Sequence, residues 1–142
     1  MHRMLVPYDG SEAAVRALDH AIATARAAGE VSIHLVTAHE PPMVYGEIAV
    51  YVSQDKLEAF RVQHAEQILA PARATLAASG VRFTEAVLIG PVAESIAKAA
   101  TDSGSDVIVM GTRGLGAIGN LLMGSVATKV VHLATVPVTL VK

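Results

Sequence analysis

Five short apolar runs separated by longer stretches of helical spacing constrain this chain more than any other feature. Residues 4–6, 31–37, 81–89, 106–110 and 136–141 read as strands, and the segments between them are long enough to cross over a sheet. Alternation of this kind predicts an α/β domain with a parallel sheet covered on both faces. In such sheets a ligand sits beyond the carboxyl ends of the strands, where the strand order reverses.

The helices carry their own punctuation. Ser11 and Glu12 read as an N-cap and an acidic first turn, Ala14, Leu18, Ala21, Ile22 and Ala25 recur at helical spacing, and Gly29 stops the run. A second helix is expected over 54–79, with Leu57, Phe60, His64, Ile68 and Leu76 near one face, Pro71 kinking or splitting it, and Gly80 ending it. Pro91 begins a third, with Val92 and Ile96 inward, and a fourth runs over 125–134 with Ser125 as its cap. Pro137 removes a ladder donor and argues that the last strand lies at an edge. The connection over 40–53 is unusually apolar and reads as a loop folded over a site or against a partner.

At 142 residues and 52% hydrophobic composition, with mean hydropathy +0.46, the chain fits one domain with a substantial core. A net charge of −2 gives no basic surface for nucleic acid. Without cysteine, thiol catalysis and thiolate metal sites are excluded. No apolar run approaches a membrane span and no signal peptide is legible, so a cytoplasmic protein without membrane insertion is the expectation.

Chemistry concentrates after the fourth run. Glycines at 111, 114, 116, 119 and 124 follow it and lead into a helix. Backbone donors in such a loop, together with a helix N-terminus, form an anion site suited to phosphate. The P-loop motif fails, because Asn120 stands where lysine is required. Gly114, Gly116 and Gly119 meet G-x-G-x-x-G literally, but no acid follows to bind a ribose, so the match is read as chance. Gly116 and Gly119 are read as shaping the loop. The segment 7–11 after the first strand is the other candidate, and the two loops line one crevice if their strands are neighbours. Asp9 lies in that segment, where it would either cap the helix or meet a ligand.

The longer spacing, Gly111, Gly114 and Gly124-Ser125 as G-x2-G-x9-G-[ST], resembles the nucleotide-binding signature of the universal stress protein family. Val6-Pro7-Tyr8-Asp9-Gly10-Ser11, Leu35-Val36, Gly90-Pro91 and Val136-Pro137-Val138 resemble other parts of that family, so the likeness spans the chain as a single domain, 1–142. The resemblance implies a three-layer sandwich of the adenine nucleotide alpha hydrolase type, with a five-stranded parallel sheet of order 3-2-1-4-5. It further implies ATP, with Mg2+ or Mn2+ at the phosphates, and homodimers through the C-terminal strand.

Carried over by position, Asp9 would meet the ribose or the metal-phosphate region, and the Val36 backbone would bond adenine beside Pro7. Met110, Gly111 and Gly114 would follow ribose and phosphates, and Gly124, Ser125 and Val126 would hold the phosphates. Arg113 would add charge there. Ala127 departs from the serine or threonine of many nucleotide-binding members and would remove one hydroxyl contact, worth roughly 1 kcal/mol.

The six histidines show no close metal-ligand pairing, and only His39, at the carboxyl edge of the second strand, draws attention. No nucleophile–base pair is legible. The expected role is therefore a nucleotide-linked sensor or regulator acting on an unidentified protein partner, with ATP ordering the 111–124 loop and the 40–53 connection. Slow ATP hydrolysis assisted by a metal and Asp9, a small nucleotide-transforming enzyme of the same fold, and a nucleotide-free dimeric module are the alternatives.

Overall fold

The computed structural model describes residues 2–40, 53–113 and 123–142. Five parallel strands, β1 (Arg3–Pro7), β2 (Ser32–His39), β3 (Phe83–Ile89), β4 (Val107–Gly111) and β5 (Val138–Val141), form one sheet in the order β3-β2-β1-β4-β5. The helices among the described residues are α1 (Glu12–Ala28), α2 (Gln54–Ser79), α3 (Val92–Asp102) and α4 (Ser125–Leu133). This is the expected α/β sandwich, with the expected strand order.

The three layers follow from side-chain alternation. Met4 and Val6 of β1, with Ile33, Leu35, Val107 and Val109, face α1 and α2. Leu5, Val36, Ile108 and Met110 face α3 and α4. Met4, Leu5 and Val6 are at most 1% exposed, so the central strand is apolar on both faces.

α1 begins as expected: the Ser11 hydroxyl accepts from the Ala14 amide at 3.2 Å, and the Gly29 amide closes the helix on the Ala25 carbonyl at 3.0 Å. Its buried face is mostly alanine, which lets it lie close to the sheet. At the end of β4 the approach is closest. A Cβ added to Gly111 would lie 2.7 Å from that of Ala13. Gly111 is therefore required for packing, whatever it does for a ligand.

α2 departs from expectation in two ways. It runs unbroken through Pro71. The missing donor costs one hydrogen bond, and the buried residues Leu69 and Ala72 on either side hold the helix to the sheet across that point. Its buried residues are Ala65, Leu69, Ala72 and Leu76, with Ile68 partly buried against the core; of the expected face Leu76 is buried, whereas His64 is exposed and Phe60 is 68% exposed. Small alanines supply half of this seam, and a search for large apolar side chains passes over them.

β5 starts at Val138 and forms the sheet edge beside β4. Pro137 lies just before it and serves as an acceptor, taking the Ile108 amide at 3.0 Å. At the amino end of the sheet, Asp106 accepts the amides of His2 at 2.7 Å and Arg3 at 3.0 Å, tying the start of β1 to β4. No helix among the described residues is long and apolar enough to cross a membrane.

Two outcomes follow. Gly111→Ala should lower stability by about 1–3 kcal/mol, the usual cost of overpacking, and urea denaturation reads it directly. The amides of His2 and Arg3 hold the Asp106 carboxyl below its ordinary value. A depressed carboxyl contributes stability above its unfolded pKa and loses it as pH falls through the folded value. Asp106→Asn should therefore flatten part of the decline in melting temperature seen on acidification below about pH 4.

Candidate functional site

The sheet order places β1 beside β4, and the connections on either side of this pair run in opposite directions. The loops after these strands diverge there and open a cleft whose enclosed volume is about 100 Å³. Pro7, Tyr8, Asp9 and Ser11 form one wall; Met110, Gly111 and Arg113 form another; Ala38, Val92, Ile96 and Val126 close it.

The first wall is built by a tight turn. The Tyr8 amide donates to the Val36 carbonyl at 2.8 Å, extending the sheet one residue past Pro7. Asp9 Oδ1 then accepts the Ser11 amide at 2.9 Å. The chain reverses at Gly10, whose φ of 84° suits glycine, and enters α1. Asp9 thus shapes the turn, while the cap of α1 is Ser11. Tyr8 is buried, and burial, followed by the charges of Asp9 and Asp19, pushes its phenol up, so it stays a neutral donor at physiological pH.

The second wall depends on two backbone hydrogen bonds. The Thr112 amide donates to the Val141 carbonyl of β5 at 2.9 Å, and the Thr112 carbonyl accepts the Gly124 amide at 2.6 Å. The chain that leaves β4 at Thr112 therefore returns to the same point before α4 begins. This return brings the α4 N-terminus to the cavity, where Val126 lines it.

The cap of α4 differs from expectation. Gly124 occupies the N-cap position, Ser125 is the first helical residue, and no side chain caps the helix. Ser125 is displaced by one position because Gly124, in extended conformation and bonded to Thr112, is where the chain turns into the helix. An uncapped first turn presents amide donors and the positive end of the helix dipole.

Of the residues singled out in the sequence, Pro7, Asp9, Met110, Gly111, Arg113 and Val126 meet at the cavity. Gly124 and Ser125 stand at the adjoining helix start. Val36 does not line the cavity: it is fully buried in β2 with its carbonyl bonded to Tyr8, and Ala38, two residues further on, takes the wall position. Gly114, Gly116, Gly119 and most of the 40–53 connection lie outside the described residues. Ala38 is a wall residue outside the segments singled out in the sequence, whereas Tyr8 lies within the 7–11 segment and Ala14 on the apolar face of α1. Period-two alternation from Val36 points to Ala38.

Ala127 is 3% exposed and packs in the cluster of Ile96, Ala99 and Val130. Its methyl faces the core and not the cavity.

The walls suit a ligand with one flat apolar part and one anionic part. Pro7, Ala14, Ala38, Val92, Ile96, Met110 and Val126 supply apolar surface; Arg113 and the helix start supply positive potential. Among the described residues no group of three or more histidine, aspartate or glutamate side chains is placed to hold a metal ion. Asp9 is the carboxylate at the cavity wall, so a metal here would rely on oxygens of the ligand itself.

A parallel sheet with a cavity at its switch point and an uncapped helix start beside it is the arrangement of a ligand-binding α/β domain. The chain matches the universal stress protein family over residues 1–142 and belongs to it. It is 43% identical over 141 residues to a universal stress protein of Thermus aquaticus, covering 98% of this chain and 97% of the relative. The solved structure of protein MJ0577, a universal stress protein of Methanocaldococcus jannaschii, superposes with a TM-score of 0.85 at 28% identity, over 99% of this chain and 95% of that one. A universal stress protein solved in complex with cAMP superposes with a TM-score of 0.72 at 26% identity, over 99% and 97% of the two chains.

The double role of Asp9 can be separated by substitution. Asp9→Asn keeps an oxygen for the Ser11 amide and should leave the melting temperature nearly unchanged. Asp9→Ala removes that acceptor and should cost about 1 kcal/mol in chemical denaturation.

Proposed function

We propose that this chain binds ATP, accompanied by Mg2+ or Mn2+, in the cavity between β1 and β4, and acts as a nucleotide-linked sensor in a stress response. The observation that carries the reading is the uncapped N-terminus of α4 beside an apolar cavity. An adenine and its ribose match the apolar walls and Asp9; phosphates match the helix start and Arg113. The cAMP complex of a related protein supports an adenine nucleotide at this kind of site.

The signal would pass through the Thr112–Gly124 hydrogen bond. Phosphates at the first turn of α4 favour one arrangement of that turn, and a protein partner reading this surface would respond to occupancy. A site for chemistry would need a positioned water and a base, and the described residues around the cavity offer Asp9 alone as a carboxylate. A dedicated hydrolase is therefore not proposed.

A second reading is specific to the ligand. The cAMP complex of the relative favours a monophosphate or cyclic nucleotide over ATP. Parallel titrations with Mg-ATP, AMP and cAMP decide between them.

We further propose a homodimer through β5. This strand is four residues long and pairs on one side with β4, leaving its other side as the sheet edge. The proposed setting is the cytoplasm.

Calorimetric titration of nucleotide-stripped protein with Mg-ATP should show saturable binding. Ala38→Phe, which fills the cavity, should weaken it at least about tenfold, a cost of about 1.4 kcal/mol. Asp9→Asn should weaken it without unfolding the protein. Native protein that binds no nucleotide would leave the nucleotide-free dimeric module as the reading. Sedimentation at micromolar concentration should give a dimer, and a monomer there would remove the β5 interface.

A further inference from the structure

We infer that His39 and His64 form a two-imidazole site for a borderline-soft divalent transition ion such as Zn2+, outside the nucleotide cavity. His39 ends β2, and His64 lies on α2, 25 residues further along the chain. Their ring centres are 5.5 Å apart, with the planes at 65°. Two imidazoles on one tetrahedral ion, with metal–nitrogen bonds of about 2.0–2.1 Å, carry ring centres about 5 Å apart. The observed ring spacing exceeds that by about half an ångström.

Each ring is already held by a neighbour. His39 Nε2 is 3.0 Å from the hydroxyl of Thr37, which is 1% exposed. This bond fixes the ring and leaves Nδ1 as the coordinating atom. A ligating histidine whose second nitrogen is anchored in this way is the usual arrangement of protein metal sites. His64 stacks on Phe60 at 6.2 Å with the rings nearly parallel, at 4°.

The surroundings give such an ion a consequence. No residue of α2 between 54 and 64 is buried, and the buried stripe begins at Ala65. Among the described residues, the His39–His64 contact is thus a tie between the first half of α2 and the end of β2 that lies beyond the helix's buried stripe. Because no third metal-binding side chain joins the pair among the described residues, water would complete the coordination. The ion would be exchangeable and would not be required for folding. Mg2+, a hard cation that prefers oxygen, is not expected to compete. The site shares no residue with the cavity walls, so its test stands apart from that of nucleotide binding.

The test is a Zn2+ titration of the full, nucleotide-free chain, followed by calorimetry and by the imidazole resonances in NMR. One ion per chain should bind saturably and shift the His39 and His64 signals together. Binding should be lost in both His39→Ala and His64→Ala, and retained in His132→Ala, which removes an exposed histidine elsewhere. Thr37→Val should weaken binding by about tenfold, the lower end expected when an orienting partner is lost. His64 is exposed, so its substitution reports on the ion and not on folding. Absence of saturable Zn2+ binding, binding that survives both histidine substitutions, or equal loss in His132→Ala would each overturn the assignment.

Discussion

There is no room for a β-carbon between the end of β4 and the first turn of α1. At 2.7 Å from Ala13, a side chain at Gly111 would force the strand and the helix apart. Because glycine is there, β4 ends against the helix that β1 feeds, and the loops from both strands rise around one space. Thr112, the next residue, then makes two backbone bonds, one to β5 and one to Gly124. The second returns the chain to its point of departure and sets the start of α4 beside the cavity. Packing at one residue and pairing at the next thus fix where a ligand can go and which helix end it meets.

The architecture is legible in the sequence because β-type runs and helical spacing alternate without a break in pattern. Helix ends are legible where a side chain caps them, as at Ser11, and less so at Ser125, where the cap is glycine and the turn is set by a distant carbonyl. The buried face of α2 is not legible, because its seam is built from Ala65 and Ala72 as much as from Leu69 and Leu76. Alanine carries little weight in a search for apolar periodicity, although in a close-packed α/β sandwich it is the residue that permits contact. Pro71 does not split α2, because local preference for a break is outweighed by burial on either side of it.

The candidate site divides in the same way. Residues at strand ends, Pro7, Met110 and Gly111, can be placed from the sequence because the fold class says where strand ends gather. Ala38 and Ala14 carry no chemistry that marks them, and only strand register and helix phase bring them to the wall. Side-chain direction, which decides which residues line the cavity, is a property of register and helix phase, not of motif spacing.

Membership of the universal stress protein family accounts for the sheet order. The physical account goes further, to the claim that phosphate is held by the open first turn of α4. Backbone amide NMR of the native protein during addition of Mg-ATP tests this most directly. The account predicts that Ser125, Val126 and Ala127 amides shift saturably together with Asp9 and Gly111, while β3 amides stay in place. Saturable ATP binding that leaves the α4 amides unmoved would contradict it.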